Sequence, residues 1–133
     1  MLWALMEDEF FNRASWQAML NREGMPPSSA SIGLLRRQDF AARRGTLLLW
    51  RSDAAGCRAD LREYSGTPGD DVAILLVADD KALATVQEDG WQPLPILIRQ
   101  GRLHPYMLKT LDELEEAGLA GFVEDLGLVF PKH

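Results

Sequence analysis

Apolar residues recur at Leu2, Leu5, Met6 and Phe10, and again at Trp16, Met19 and Leu20. That spacing predicts helix over residues 2–22, with a break near Asn12–Ser15, where Ser15 is a candidate cap. Gly24, Pro26, Pro27, Ser28 and Ser29 then stop the helix and form a short linker. Ala30–Leu35 suits a short strand. Arg36–Arg44 suits a helix ended by Gly45. TLLLWR (Thr46–Arg51) is a continuous apolar run after a glycine and predicts a buried strand. Ser52 or Asp53 can cap a helix over Ala54–Tyr64, which Gly66, Pro68 and Gly69 break. DVAILLVA (Asp71–Ala78) predicts a second buried strand. Asp79 or Asp80 can cap a helix over Lys81–Glu88 with Ala82, Leu83 and Val86 on one face. PILIR (Pro95–Arg99) predicts a third strand, turned by Gln100–Gly101 into Arg102–His104. Met107–Ala117 predicts a helix with Met107, Leu111 and Leu114 inward. A last apolar patch runs from Phe122 to Phe130 with no assigned form.

Strands alternating with helices predict a mainly parallel sheet with crossovers and one antiparallel strand at the end. The Pro/Ser linker divides the chain into an N-terminal helical arm, residues 1–27, and a body, residues 28–133. A chain of 133 residues, 47% hydrophobic and 26% charged, is sized and composed for one globular domain. Net charge is −6, which argues against a protein built to grip nucleic acid phosphates. The acid is uneven. Residues 1–66 hold nine Arg against eight acids, whereas residues 67–133 hold five bases against twelve. A solvated surface accounts for this; a face for a basic partner is the sharper reading. The single Cys57 excludes an internal disulfide, and with His104 and His133 as the only histidines no zinc site is expected. Glu7, Asp8 and Glu9 end the first apolar run too early for a signal peptide, and no run reaches the ~18 apolar residues of a membrane helix, so the expectation is a cytoplasmic protein. There is no phosphate-cradling Gly-Lys-Ser/Thr loop, GxGxxG or GxSxG elbow, so no enzyme activity or cofactor is expected.

LLLWRSDAAGCR (Leu47–Arg58) resembles the active-site segment of the thioredoxin-like family, in which a strand and a Trp lead to CGPC at the start of a helix. Trp50 matches the family Trp and Cys57 the second cysteine, while Ala54 stands in place of the nucleophile. DGWQPLPILIRQGRL (Asp89–Leu103) resembles the family segment that runs through a cis-proline into a hairpin, with Pro95 at the cis-proline. The resemblance implies a thioredoxin-like α/β fold: a central mixed sheet of four to five strands, flanked by helices, with the N-terminal helical arm. It also argues against dithiol exchange, which needs an activated thiolate at Ala54 and a second thiol to resolve the mixed disulfide. The family's buried Asp falls at Leu48 or Leu49, and its buried Lys at Ile74 or Leu76. SWQAMLNREGMPP (Ser15–Pro27) and QDFAARRGTLLLWRSD (Gln38–Asp53) are similar to the cysteine-free hydrogenase maturation proteins of the HyaE/HupG/HoxO type, thought to be chaperones for a subunit with a twin-arginine signal.

The resemblance therefore implies a non-catalytic chaperone or assembly factor binding a protein or peptide partner. Its expected surface comprises Trp50, Asp53, Ala54, Cys57, Trp91, Leu94 and Pro95. Asp112, Glu113, Glu115 and Glu116 form an acidic face suited to a basic signal peptide, or simply a solvated helix face. Two alternatives stand beside it. Cys57 at a helix start could serve as a single redox thiol, with Arg51 and Arg58 adding to its activation, or be a small buried hydrophobe. The chain could also be a structural subunit of a larger assembly. Trp50 and Trp91 fit either a binding patch or a core.

Overall fold

A computed structural model describes residues 11–127. The expected helix over residues 2–10 and the apolar tail beyond Gly127 lie outside that range. The chain orders its elements as α1 (Arg13–Glu23), β1 (Ser31–Arg36), α2 (Arg37–Ala42), β2 (Gly45–Asp53), β3 (Gly56–Tyr64) and β4 (Val72–Ala78), then α3 (Asp80–Asp89), α4 (Leu94–Arg99), β5 (Leu103–Met107), α5 (Leu111–Ala117) and α6 (Ala120–Asp125). The five strands form one mixed sheet in the order β3-β2-β1-β4-β5. β1 and β4 are parallel; the other neighbours are antiparallel.

Successive residues of a strand point to opposite faces, so each run of apolar residues feeds two cores. Ile32, Leu34, Leu48, Trp50, Ile74 and Leu76 face one way, under side chains from α1, α3, α4, α5 and α6. Leu35, Leu47, Leu49, Leu75 and Val77 face the other, where Phe40 of α2 packs. All seven residues of β4 are buried, which explains its unbroken hydrophobic run. α1 carries Trp16, Met19 and Leu20 into the larger core; its N-cap is Asn12, whose side chain accepts from the Ser15 amide. On its polar flank Arg13 donates to the Ala59 carbonyl at 2.8 Å. Gln17 donates to the Cys57 carbonyl at 2.9 Å and accepts from the Ala59 amide at 2.8 Å.

Two expected elements are corrected, and with them the thioredoxin-like fold. The mainly parallel sheet is corrected too, since three of its four pairings are antiparallel. The helix expected from Met107 starts at Leu111, which is exposed rather than inward, while Met107 ends β5. Ala54–Tyr64 is not a helix: β2 returns as β3 through a tight hairpin, pairing from Gly45↔Tyr64 to Asp53↔Gly56. Asp53 accepts from the Ala55 amide at 2.8 Å, and Gly56 takes φ 128°, so the residue expected to cap a helix closes a turn instead. β3 buries Ala59 and half-buries Cys57 and Leu61 on the same face, a period of two. Pro95–Arg99 is not a strand but lies within α4, with Leu94 and Leu97 buried one turn apart. Pro95 sits in the first turn, where its fixed φ suits a helix and its missing N–H is not needed. No peptide bond among the described residues is cis, so the expected cis-Pro95 is absent. What holds of the expected fold is the coarser statement: a mixed five-stranded sheet flanked by helices.

Candidate functional site

Of the residues expected to share one surface, Trp50 and Trp91 meet, but the set forms no single exposed surface. Trp50 and Leu94 are in the core. Asp53 and Ala54 are at the exposed hairpin tip, Pro95 is half-buried on α4, and Trp91 is half-buried just before that helix. Cys57 lies on β3, its Sγ 3.8 Å from the Ser52 hydroxyl and 4.0 Å from the Met25 carbonyl. It is not at a helix N-terminus, and strand alternation sends Arg51 and Arg58 to the opposite face, where both pair with Asp60. The arrangement that was to activate a single thiol does not exist. On α5, Glu113 is engaged in the helix cap: it accepts from the Thr110 amide at 2.9 Å, while the Thr110 hydroxyl accepts from the Glu113 amide at 3.2 Å. The Thr110 amide, and the Thr110 hydroxyl after it, hold the Glu113 carboxyl below its ordinary value. Asp112, Glu115 and Glu116 are exposed.

What the fold does gather is aromatic. Trp50 on β2 is fully buried, with Trp16 of α1 5.9 Å away, Trp91 4.7 Å away and edge-on, and Phe122 of α6 6.5 Å away. Trp91 and Phe122 meet at 5.7 Å and 87°, and Phe11 extends the cluster beyond Trp16 at 6.2 Å. Edge-to-face geometry at these distances is favourable beyond simple burial, by roughly 0.5–1.5 kcal/mol per pair. Trp91 is anchored twice: its indole donates to the Gly24 carbonyl at 3.1 Å, and its amide donates to Glu23 at 2.9 Å. Trp16 and Trp50 differ from it. Both indole nitrogens are buried, and neither finds an acceptor. A buried donor left unmet costs about 1–3 kcal/mol, and the cluster holds two donors without a nitrogen or oxygen acceptor. Trp91 and Phe122 are only partly buried and form the outer side of the cluster.

Trp16 was legible as a core residue from its spacing with Met19 and Leu20, but nothing local ties it to Trp50. Phe122 fell in a stretch without an assigned form. No group of three or more metal-ligating side chains forms among the described residues.

The chain matches no protein-family model and no curated protein. Among solved structures it is similar to a sterol carrier protein 2, at 16% identity over 86% of this chain and 90% of that one, with a TM-score of 0.45. It is similar to UbiJ-SCP2, a ubiquinone synthesis protein, at 19% identity over 88% and 86%, with a TM-score of 0.42. It is also similar to the apo form of sterol carrier protein 2 from Yarrowia lipolytica, at 16% identity over 94% and 88%, with a TM-score of 0.38. None of these is a thioredoxin-like or hydrogenase maturation protein. The expected chaperone role and its peptide partner rested on the thioredoxin-like resemblance and on the likeness of Ser15–Pro27 and Gln38–Asp53 to the maturation proteins; with the helix at Ala54 and the cis-proline at Pro95 gone, that reading is withdrawn. The single-thiol and structural-subunit alternatives gain no support either. Among the described residues, no helix is long and apolar enough to cross a membrane.

Proposed function

We propose that this chain is a non-catalytic binding domain for a small amphiphile: a largely apolar molecule with one hydrogen-bond-accepting oxygen. The observation behind this reading is the pair of buried indole N–H groups, on Trp16 and Trp50, that lack acceptors within an aromatic cluster. A ligand oxygen would meet them in a dry setting, while the rings supply flat apolar contact. Trp91 and Phe122, half-buried on the outside, are the rings such a molecule passes. The similar structures are named for sterols and for ubiquinone synthesis, and those names belong to them; the rings carry the reading here.

The test follows the two indole hydrogens directly. ¹⁵N-labelled protein is titrated with cholesterol, decanoate and a short-chain benzoquinone, each delivered from cyclodextrin. The expected outcome is saturable movement of the Trp16 and Trp50 indole resonances with at least one of them, weakened about tenfold in Trp50→Phe, the loss of one buried hydrogen bond. Indole resonances unmoved by all three would assign those hydrogens to neighbouring ring faces and overturn the reading.

A further inference from the structure

The sheet has one place where neighbouring strands run in the same direction and the helices that continue them diverge. β1 and β4 are parallel. α2 follows β1 and packs Phe40 on one face of the sheet, whereas α3 follows β4 and sends Ala82, Leu83 and Val86 into the core on the other. Divergence of this kind opens a crevice beyond the carboxyl ends of the strands, where open α/β sheets bind ligands. A groove of about 780 Å³ lies there, lined by Arg37, Gln38, Asp79, Asp80, Lys81 and Arg102. Pairing of Ile32 with Trp50 puts the aromatic cluster near the opposite, amino end of β1, so the two sites are independent.

The charges in the groove do not cancel. Arg36 holds Asp80 with two bonds, at 3.0 and 2.8 Å. Asp79 accepts from the Ala82 amide at 2.7 Å and from Arg102 at 3.3 and 3.4 Å. Both carboxylates are thus answered by arginines of the fold itself. Arg37 donates its hydrogen bond to a neutral acceptor, the Gly101 carbonyl at 2.9 Å, and acts on Asp79 only through space, without an ion-pair contact. Lys81 is exposed and has no ion-pair partner among the described residues. Two cations are left over at one crevice, in a chain whose net charge is −6. A smaller cavity of about 140 Å³ beside Ser31, Ser52, Arg51 and Arg58 has no such surplus, because Asp60 and Asp71 answer its arginines. The amide end of α3 is already taken by Asp79, so the donors in the groove are side chains.

We propose that this groove binds a phosphate group, on a small soluble molecule or on a lipid head, held by Arg37 and Lys81 with Gln38 beside them. A phosphate dianion matches the surplus in charge, and a guanidinium with unused N–H groups next to a mobile ammonium matches its oxygens. The full chain is titrated with inorganic phosphate and glycerol 3-phosphate against sodium chloride at equal ionic strength. It is also sedimented with phosphatidylcholine vesicles with and without phosphatidic acid. Saturable amide shifts at residues 37, 38 and 81 with the phosphates support a soluble ligand. Sedimentation that requires phosphatidic acid supports a headgroup. Either effect should fall about tenfold or more in the double variant Arg37→Gln, Lys81→Gln, with circular dichroism reporting its fold. If that variant does not fold, Lys81→Gln alone is used, since its side chain meets no described partner. Shifts no larger than those with chloride together with no vesicle binding, or binding that survives the substitutions, overturn the proposal.

Discussion

A methyl group at position 118 would meet the chain itself. Gly118 ends α5 at φ +87°, and a Cβ there would stand 2.8 Å from the Pro27 carbonyl oxygen. Left-handed backbone alone costs a non-glycine residue roughly 1–2 kcal/mol, and here the backbone of the linker cannot step aside without losing its own bonds. Gly118→Ala is therefore expected to lower stability by about 2 kcal/mol, read as a lower urea midpoint at unchanged slope. Leu76 sits at the centre of β4 with no exposure. Leu76→Ala should cost about 2–5 kcal/mol, the price of a core cavity, seen in the same titration. At the other end of α5, Thr110→Ala removes the reciprocal cap with Glu113 and should cost about 1 kcal/mol.

Elements differ in how plainly the chain announces them. β2 and β4 were legible because strands buried on both faces need apolar residues without alternation, and TLLLWR and VAILLVA supply them. α3 was legible from Asp79 and the Ala82, Leu83, Val86 stripe. β3 was not, because a side-chain oxygen that accepts from a nearby amide closes a turn as readily as it caps a helix. Asp53 does the former, and only pairing with β2 decides which. α4 was hidden by Ile96 and Ile98, which suit strands, and by two prolines that also suit a helix start. The candidate site suffered most. Trp50 and Trp91 were grouped from the sequence, but their meeting with Trp16 and Phe122 is a product of long-range packing. The orphaned indole nitrogens have no signature in sequence at all.

Across the whole molecule, stability should depend on pH in one direction. The Arg62 guanidinium, with Arg51 beside it, holds the Asp71 carboxyl below its ordinary value. Burial would raise Asp79, but the Ala82 amide, Arg102 and Arg37 together leave it lowered. A carboxylate whose pKa is lower in the fold stabilises the fold fully above its unfolded pKa and loses that contribution as pH falls through the folded one. Thermal midpoints should thus be flat above about pH 5 and drop below about pH 4, and Asp71→Asn should soften the drop. At the same scale the two outer strands of the sheet are treated differently. β5 has Pro105, which offers no N–H. β3 has Gln17, whose amide gives one bond and takes one from successive peptide groups on the strand's outer edge, as a neighbouring strand would. Gln17, with Arg13 on the Ala59 carbonyl, thus occupies the edge where a sixth strand would pair, and edge-to-edge pairing of copies is expected to be blocked there. Gln17→Ala should leave the monomer folded yet make it associate as concentration rises, which light scattering would register.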